Sequence, residues 1–495
     1  MTHGIAAGHA LTVQAGAEVL SDGGSAADAA IASVCTAFVC EPVLASPAGG
    51  GFAMVWDGRR ASCLDFFVHT PKKPTGPRHD GLTEIEADFG GVLQTFHIGP
   101  GSVATPGMLP GLFSLHERYG RLPMKRLAEF AVETAKTGIT ISPFQARLGQ
   151  IVGPILLATD AAKQIHAPQG SLLQAGDALN NPNLADALDA ISREGLRIAT
   201  HGEIANLMAE ASSGGHLSRE DLSSYQPLWR EPLKRAASPK GGSKPSEIAL
   251  NPPPSAGGGL IDALLSAYDE NERYDPLRFA TSLDQVDRRW RELGKPMGFD
   301  HRMLAQQPAA LASRGTTHIS VIDGEGTAIA LTVSNGEGNG QIVPGCGFIL
   351  NNMLGEDDLL SDGPGSWQPD QRLASMMAPS IVSDANGALL ALGSGGSNRI
   401  RSALSQVLIR RLLGNEPIEE AVRAPRLHVE KGHLDVEPGL DPEPLQRAFE
   451  DHRIWDAQSM FFGGVHAVER VVNADGRFSI EGTGDDRRDG AFQIV

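Results

Sequence analysis

Residues 315–322 have the sequence Gly-Thr-Thr-His-Ile-Ser-Val-Ile, and this stretch decides the fold that we expect. A second β-rich run, Ala-Ile-Ala-Leu-Thr-Val, follows at residues 328–333. The Asp-Gly-Glu-Gly sequence between the two runs is typical of a hairpin turn. The sequence therefore predicts a β-hairpin whose first strand begins directly after a Gly-Thr pair.

The Gly315-Thr316 bond is a candidate for self-cleavage. An internal threonine hydroxyl is a poor nucleophile at neutral pH, because no base lies beside it. If the bond is cut, Thr316 gains an α-amine that titrates near ~8 and can take the hydroxyl proton. Gly315 has no side chain that would hinder attack on its own carbonyl, which suits an N-to-O acyl shift. On this local pattern alone, an ordinary strand is still the better interpretation.

Outward from the hairpin, strands and helices are intermixed and the C-terminal part is rich in strands. This order predicts stacked sheets that are covered by helices. Gly23-Gly24 separates two predicted helices within residues 8–40, and Ser25 is placed to cap the second. The remaining predictions are helices within residues 105–135, 184–214, 260–295 and 399–413, strands at 52–56, 379–383 and 388–392, and a flexible loop at 236–247.

Composition excludes several functional classes. The 495 residues are 41% hydrophobic and 20% charged, which supports a sizeable core and argues against a disordered chain. The net charge of -17, from 42 basic and 59 acidic residues, repels phosphate backbones, so we expect no nucleic-acid partner. No secretory signal is recognisable at the start, and the longest apolar stretch, residues 29–39, is too short to cross a bilayer. We therefore expect a cytoplasmic protein without a membrane partner.

The cysteine and histidine patterns predict neither a metal nor a cofactor. The four cysteines lack CxxC spacing, and Cys35 and Cys40 are interpreted as buried free thiols. No HExxH motif or paired His/Asp cluster is present.

Seven patterns between residues 23 and 400, among them the stretch that begins at Gly315, occur in the order known from one family. Jointly the chain resembles the gamma-glutamyltransferase family, although any one pattern alone would be weak. The patterns are GGSAADAA at 23–30, EP with GGGF at 41–52, TPG with HERYGRLP at 105–123, NPPPSAGG at 251–258, GTTHISV at 315–321, GFILNNM at 347–353 and GSGGS at 393–397.

The resemblance implies an α+β fold, a four-layer αββα sandwich of the N-terminal-nucleophile hydrolase type. It also implies a precursor cut into a large-subunit region, 1–315, and a small-subunit region, 316–495, which form one intertwined heterodimer. Thr316 would attack the substrate carbonyl, and Ser334 would position the new amine. Gly395 and Gly396 would offer backbone N–H groups to the oxyanion. For His318 we favour a structural hydrogen bond over a part in cleavage.

The expected substrate pocket departs from that family. Members that act on glutathione hold the α-amine with Asn, Gln and Asp, where this chain has Asn335, Met353 and Glu356. They hold the α-carboxylate with an Arg and two serines. Here Phe67 stands at the Arg position, and Ser375 is the single serine.

The missing Arg leaves the α-carboxylate without an assigned partner, although Arg is the residue suited to bidentate carboxylate recognition. Arg372, Arg399 and His69 are candidate replacements, and for each a surface charge or a structural hydrogen bond is the simpler interpretation. The segment 357–371 is short, which predicts a pocket without a lid.

Three functional hypotheses follow. The first is a hydrolase or transferase that takes a gamma-glutamyl group from a small molecule and passes it to water or an amine. The second is a related acylase, such as one acting on cephalosporin side chains. The third is a catalytically silent binding protein that never matures. The state of assembly beyond two fragments is left open.

Overall fold

The computed structural model describes residues 2–88, 93–237, 246–268, 273–293, 315–356, 359–360 and 363–495. Within these residues the helices are Ala10–Ser21 (α1), Ala26–Cys40 (α2), Met108–Tyr119 (α3), Met124–Thr137 (α4), Pro143–Ile151 (α5), Gly153–Leu156 (α6), Asp160–His166 (α7), Pro182–Glu194 (α8), Arg197–Thr200 (α9), Glu203–Ala211 (α10), Arg219–Ser224 (α11), Gly257–Ser266 (α12), Pro276–Leu293 (α13), Arg399–Leu408 (α14), Ile418–Arg423 (α15) and Pro442–Ala448 (α16).

The strands in the same residues are Gly4–Ala7 (β1), Gly50–Trp56 (β2), Ala61–Phe66 (β3), Thr83–Asp88 (β4), Leu93–Ile98 (β5), Ile139–Thr140 (β6), Ala178–Leu179 (β7), Leu228–Arg230 (β8), Leu233–Ala237 (β9), Ser246–Leu250 (β10), Thr316–Ile322 (β11), Ala328–Ser334 (β12), Ser380–Asp384 (β13), Leu389–Gly395 (β14), Leu427–Glu430 (β15), His433–Val436 (β16), His452–Ile454 (β17), Gly464–Val472 (β18), Phe478–Thr483 (β19) and Ala491–Ile494 (β20).

Two large antiparallel sheets form the centre of the molecule. The first has the order β20-β1-β11-β12-β2-β3-β8, and the second has the order β19-β18-β14-β13-β10-β9. In the first sheet, β11 and β12 form the predicted hairpin, and β12 also pairs with β2 in antiparallel orientation. Strands from before and after residue 315 therefore both contribute to one sheet, with β1 lying between β20 and β11.

Alternation along β11 shows which layer covers each face of the first sheet. Ile319 and Val321 are fully buried in one apolar cluster with Ile31 of α2 and other residues of the first helical layer. On the opposite face, the Ser320 hydroxyl donates to the His466 carbonyl oxygen of β18, which belongs to the second sheet. Successive residues of a strand face opposite sides, so Thr316 and His318 also face the second sheet.

The second sheet carries its own helical layer. Ile248 of β10 and Leu390 of β14 share a buried cluster with Leu260 of α12 and Leu404 of α14. The layers are thus helix, sheet, sheet, helix, which confirms the predicted αββα sandwich.

Several predicted elements are confirmed, and three predicted helical regions contain more than one helix. Helix α2 begins at a capping box, in which the Ser25 hydroxyl accepts from the Asp28 N–H and the Asp28 carboxylate accepts from the Ser25 N–H. The predicted helix 399–413 is α14, continued by the π-helical turn Ile409–Leu413. The predictions for 105–135 and 260–295 each contain two helices, and 184–214 contains three.

The predicted loop at 236–247 is wrong at its two ends. Ala237 pairs with Ser246, and Ala236 pairs with Glu247, so these ends belong to β9 and β10. Residues 238–245 lie outside the described residues. The strand ends were missed because β9 alternates half-buried and exposed residues at the edge of its sheet, which gives little apolar signal.

Candidate active site

The site is built around the first residue of β11. Thr316 lies directly opposite Ser334 in the β11–β12 ladder, and its residue is 4% exposed. Its side chain faces the second sheet, as the alternation along the strand requires. The first and last residues of the hairpin therefore meet at the open end of the two sheets.

The carbonyl group of Gly315 is held by a side-chain donor. The Ser334 hydroxyl donates to the Gly315 carbonyl oxygen at 2.6 Å, and the same hydroxyl oxygen accepts from the Gly336 N–H at 3.1 Å. A hydrogen bond to a carbonyl oxygen stabilises negative charge that develops there during attack on the carbon. Ser334 thus contacts the carbonyl group of the Gly315–Thr316 bond, which is the candidate cleavage bond.

A buried glutamate contacts the nitrogen side of Gly315. The Gly315 N–H donates to Glu337 Oε1 at 3.4 Å. Asn352 holds this glutamate, because its Oδ1 accepts from the Glu337 N–H at 2.9 Å and its Nδ2 donates to Glu337 Oε2 at 3.4 Å. Ser334 and Glu337 therefore fix both polar groups of the residue before the candidate cleavage bond.

The glycine-rich end of β14 and the turn that follows it approach Thr316 from the second sheet. A methyl group on Gly395 would overlap the Thr316 carbonyl oxygen, so the close approach requires glycine. Gly396 has φ +123°, a conformation that side chains rarely adopt. The structure thus brings both predicted oxyanion glycines to the Thr316 end of β11.

A buried carboxyl group, that of Glu41 at the end of α2, packs against the opposite face of β11. Burial raises the pKa of Glu41 to about 7, against the opposing effect of the Thr317 and Thr12 hydroxyls. Thr12 Oγ1 donates to Glu41 Oε1 at 3.1 Å. A methyl group on Gly8 would lie 2.7 Å from both Glu41 Oε2 and Thr317 Oγ1, so these groups surround the backbone at Gly8.

His318 has the structural role that the sequence favoured. Its Nδ1 lies 2.8 Å from Thr332 Oγ1, and its Nε2 lies 2.9 Å from Ser320 Oγ. Burial holds the pKa of His318 well below its usual range, so the ring is neutral. The ring also packs against Gly393, where a methyl group would overlap it.

Two of the predicted substrate-binding residues lie near Gly315. Glu356 is buried, and a methyl group on Gly336 would overlap its Oε1. The Glu356 carboxyl group therefore lies against the backbone of Gly336, the residue that precedes Glu337 in the chain. Asn335 is fully buried, and neither its Oδ1 nor its Nδ2 has a hydrogen-bond partner among the described residues. Met353, at the position of the expected Gln, is part of an apolar core cluster.

Ser375, by contrast, is engaged in holding the chain. Its hydroxyl oxygen accepts from the Met377 N–H at 3.1 Å, and its carbonyl oxygen accepts from the Ser255 hydroxyl at 2.7 Å. These bonds hold the Ser375 segment against Ser255, and the role of Ser375 in substrate binding stays a prediction.

The position of the expected Arg is apolar. Phe67 is buried, and its ring stacks on Phe52 at a centroid distance of 5.5 Å. The nearby Arg372 is held by protein acceptors: its Nη1 donates to the Phe67 carbonyl oxygen and the Tyr225 hydroxyl, and its Nη2 donates to the Gln226 carbonyl oxygen at 2.7 Å. Its Nε lies 3.7 Å from Asp65 Oδ1, so a carboxylate already compensates its charge.

The other two candidate cations are also engaged with protein groups. Arg399 is buried, its Nε donates to the Phe461 carbonyl oxygen at 3.2 Å, and its guanidinium lies 4.5 Å from the Phe461 ring centroid. Burial lowers the pKa of His69, and its Nδ1 lies 3.0 Å from the Thr70 carbonyl oxygen. For all three candidates the structural interpretation given by the sequence is the one that the contacts favour.

Sequence reasoning missed Glu337, Asn352, Glu41 and Arg488. Glu337 lies inside the glycine-rich run 334–340, which belongs to none of the seven patterns that carry the family resemblance. Arg488 contacts Thr316 across 172 positions of the chain, and no local pattern can signal a partner at that separation. Asn352 and Glu41 both lie in motifs quoted above, so their presence there was the available signal.

Comparison with known proteins agrees with this geometry. The sequence profile of the family Gamma-glutamyltranspeptidase matches residues 12–288 and 278–495. Three relatives span nearly the whole chain. They are the capsule biosynthesis protein CapD proenzyme of Bacillus anthracis (27% identical; 99% of this chain and 90% of the relative), the glutathione hydrolase proenzyme of Bacillus subtilis strain 168 (26%; 98% and 90%) and the acylase ACY 1 proenzyme of Pseudomonas sp. strain SE83 (27%; 94% and 89%).

A cephalosporin acylase from Bacillus halodurans has the same fold, with a TM-score of 0.81, 20% identity, and coverage of 99% of this chain and 95% of that chain. The αββα layers and the Thr at the start of a central strand define the class of the N-terminal-nucleophile hydrolases. Within that class, the chain belongs to the gamma-glutamyltranspeptidase family.

Neither a metal-binding cluster nor a membrane-spanning helix is found among the described residues. No group of three or more His, Cys, Asp and Glu residues in this part of the chain could hold a metal ion. None of the described helices combines the length and apolar character needed to cross a membrane. The four cysteines are all buried and unpaired, as predicted for Cys35 and Cys40.

Proposed function

We propose that this chain cuts itself between Gly315 and Thr316 and then uses Thr316 to cleave or transfer the acyl group of a small amide. The observation that carries the proposal is the 2.6 Å hydrogen bond from the Ser334 hydroxyl to the Gly315 carbonyl oxygen, directly opposite Thr316. The names of the three relatives all describe proenzymes, which also supports self-processing.

Maturation takes place in two steps. Thr316 Oγ attacks the Gly315 carbonyl carbon, the C–N bond breaks, and the hydroxyl proton passes to the Thr316 nitrogen. An ester forms, and the nitrogen becomes a free amine. Ser334 stabilises the oxyanion, since it already donates to that oxygen. Water then hydrolyses the ester, which releases the Gly315 carboxylate and restores the hydroxyl.

Turnover repeats the same chemistry on a substrate. The Thr316 amine takes the hydroxyl proton, Oγ attacks the substrate amide carbon, and backbone N–H groups at Gly395 and Gly396 stabilise the oxyanion. The proton passes to the leaving amine, and an acyl ester remains on Thr316. Water or an acceptor amine then attacks the ester and releases the acyl group.

The decisive experiment replaces the nucleophile. Thr316→Ala should remain a single chain on denaturing electrophoresis and should have no amidase activity, because both steps use the same hydroxyl. The wild-type chain should give fragments corresponding to residues 1–315 and 316–495, and the second should begin Thr-Thr-His on N-terminal sequencing. Thr316→Ser keeps the hydroxyl and is the matched control, and this variant should still cleave itself after Gly315. Cleavage or turnover by Thr316→Ala would refute the assignment.

For the acyl donor, we infer an amide that lacks the α-carboxylate of a gamma-glutamyl group. An unpaired carboxylate in a buried pocket is costly. Phe67 offers no charge, and Arg372, Arg399 and His69 are engaged with protein groups. The relative named as an acylase supports this choice. Glutathione hydrolysis is the second candidate, because Glu356 keeps a carboxyl group where the family holds the substrate amine.

A panel of three anilides separates these candidates. Gamma-glutamyl anilide carries both an α-amine and an α-carboxylate, gamma-aminobutyryl anilide lacks the carboxylate, and glutaryl anilide lacks the amine. We expect the gamma-aminobutyryl compound to have at least the kcat/KM of the gamma-glutamyl compound, and the glutaryl compound to be much poorer. A gamma-glutamyl compound that is faster by about tenfold, or about 1.4 kcal/mol, would show that a cation receives the carboxylate.

A further inference from the structure

A buried arginine from the C-terminal end of the chain contacts the nucleophile residue. Arg488 lies in the short turn between β19 and β20 and is 3% exposed. Its Nη1 donates to the Thr316 carbonyl oxygen at 3.4 Å, and its Nη2 donates to the Met460 carbonyl oxygen at 3.2 Å. A methyl group on Gly395 would lie 3.0 Å from the same Nη1, so the guanidinium lies beneath the glycine turn.

The charge of Arg488 is not neutralised by a direct ion pair. Among the described residues, no carboxylate oxygen lies within ion-pair distance of its nitrogens, and its Nε has no hydrogen-bond partner. The neighbouring Asp485 is engaged with Arg426 at 2.6 Å and Arg487 at 3.2 Å. Burial, followed by the charge of Arg399, lowers the pKa of Arg488 to about 10, so it remains charged at neutral pH.

The amine of a cleaved Thr316 would lie close to this charge. Backbone geometry keeps the nitrogen of a residue within about 4 Å of its own carbonyl oxygen, which places the amine roughly 6 Å from the guanidinium. A nearby positive charge disfavours a second positive charge, and it therefore favours the neutral amine. The neutral amine is the form that can take the hydroxyl proton of Thr316.

We propose that Arg488 is a positioning residue that fixes the Thr316 carbonyl and keeps the Thr316 amine unprotonated at neutral pH. This inference rests on the proposed function, because the amine exists only after cleavage. It adds to that function a reason why a backbone amine can act as a base at a buried residue.

Other charged groups also face this region. Glu337 and Glu356, on the Gly315 side, favour the protonated amine, and Glu41 on the helical side titrates near neutrality, with a pKa of about 7. Burial lowers the pKa of His466 in β18 to about 4, and His318 is also neutral. Other charged groups near Arg488 among the described residues are Arg399 of α14, the Asp485, Arg426 and Arg487 set, and Asp489, which directly follows Arg488. The carboxylates raise the pKa of the Thr316 amine, whereas Arg488 lowers it. Removal of Arg488 should therefore shift this pKa upward.

The test is the pH dependence of kcat/KM for mature enzyme with its best anilide. The rising limb reports the Thr316 amine of the free enzyme. Arg488→Gln should move this limb to higher pH by about one unit, because a cation at this distance is lost. Arg488→Lys keeps the charge and is the matched control, whose limb should stay near that of the wild type. A limb that does not move in Arg488→Gln would overturn the inference.

A measurement on the wild type covers the case in which Arg488→Gln fails to mature. The rising limb of the wild-type profile should lie below about 7.7, the lower end of the range for an unperturbed α-amine. A limb at or above that value would overturn the inference. Either negative result leaves the proposed function standing as long as Thr316→Ala is uncut and inactive, so the two failures are distinguishable.

Discussion

Ser334 shows how one hydroxyl can serve two states of the same residue pair. In the uncut chain it donates to the Gly315 carbonyl oxygen at 2.6 Å. After the proposed cleavage, Gly315 would become a separate chain end, and the amine of Thr316, which lies opposite Ser334 in the ladder, would be a new polar group beside the hydroxyl. The role predicted from the resemblance, positioning of the amine, would then follow from an earlier role in cleavage.

Removal of this hydroxyl should slow maturation. Ser334→Ala removes the donor to the carbonyl oxygen, and loss of one such donor slows acyl transfer by about 10²–10³. A time course of cleavage on denaturing gels measures the effect. Ser334→Thr retains a hydroxyl at the same position and should divide at a rate close to that of the wild type. If Ser334→Ala matures as fast as Ser334→Thr, the hydrogen bond has no part in cleavage.

At the residue scale, the sequence predicts the groups that belong to continuous motifs. Thr316 and Gly395 were predicted from their motif positions and Ser334 from the family resemblance, and the structure brings them together. Glu337 and Arg488 were not predicted, because their importance comes from contacts made by folding. Which cation, if any, receives a substrate carboxylate is likewise decided by hydrogen bonds such as those of Arg372, which no spacing reveals.

At the element scale, the contact between β11 and the end of β14 depends on the absence of side chains. Gly393 lies against the His318 ring, and Gly395 lies against the Thr316 carbonyl. The two sheets can approach this closely only where one strand presents no Cβ atom. The glycine-rich pattern at 393–397 therefore has a packing reason as well as the predicted oxyanion role.

Gly395→Ala tests this close approach. The added methyl group would overlap the Thr316 carbonyl oxygen, so the turn must move away from the nucleophile. We expect kcat/KM to fall by about 10² or more, because displacement of an oxyanion donor costs that much. Gly149→Ala in α5 is the control, since its methyl group would approach only Leu156 Cδ1, at 3.8 Å. That variant should keep its activity and gain up to about 1 kcal/mol of stability. Equal activity of the two variants would contradict the packing argument.

Prediction of elements succeeded where a pattern was local. The hairpin at 316–334 and the strands β13 and β14 were predicted because apolar runs flank turn sequences. The C-terminal end of β9 and the N-terminal end of β10 were missed, because the two strands pair with each other across a polar stretch that was interpreted as a loop. Helices such as α3 and α4 were joined in the prediction because apolar periodicity continues across the short break at Pro123.

At the scale of the whole molecule, the four-layer arrangement was expected from the family resemblance and is confirmed. The order of strands in the first sheet was not predictable from the sequence, because it depends on pairings between distant segments. Strands β1, β2 and β3 come from residues before 315, while β11, β12 and β20 come from after it. Both proposed fragments are thus needed to complete a single sheet.

This interleaving has a consequence for the new chain end. A terminus created by cleavage normally frays, since nothing holds its first residues. Here the first residue after the cut is already hydrogen-bonded into a ladder and covered by a second layer. In the proposed mechanism, breaking one covalent link would therefore change what the nitrogen can do chemically while its strand stays paired, and the protein would obtain a rigid base from an atom that is elsewhere the loosest of a polypeptide.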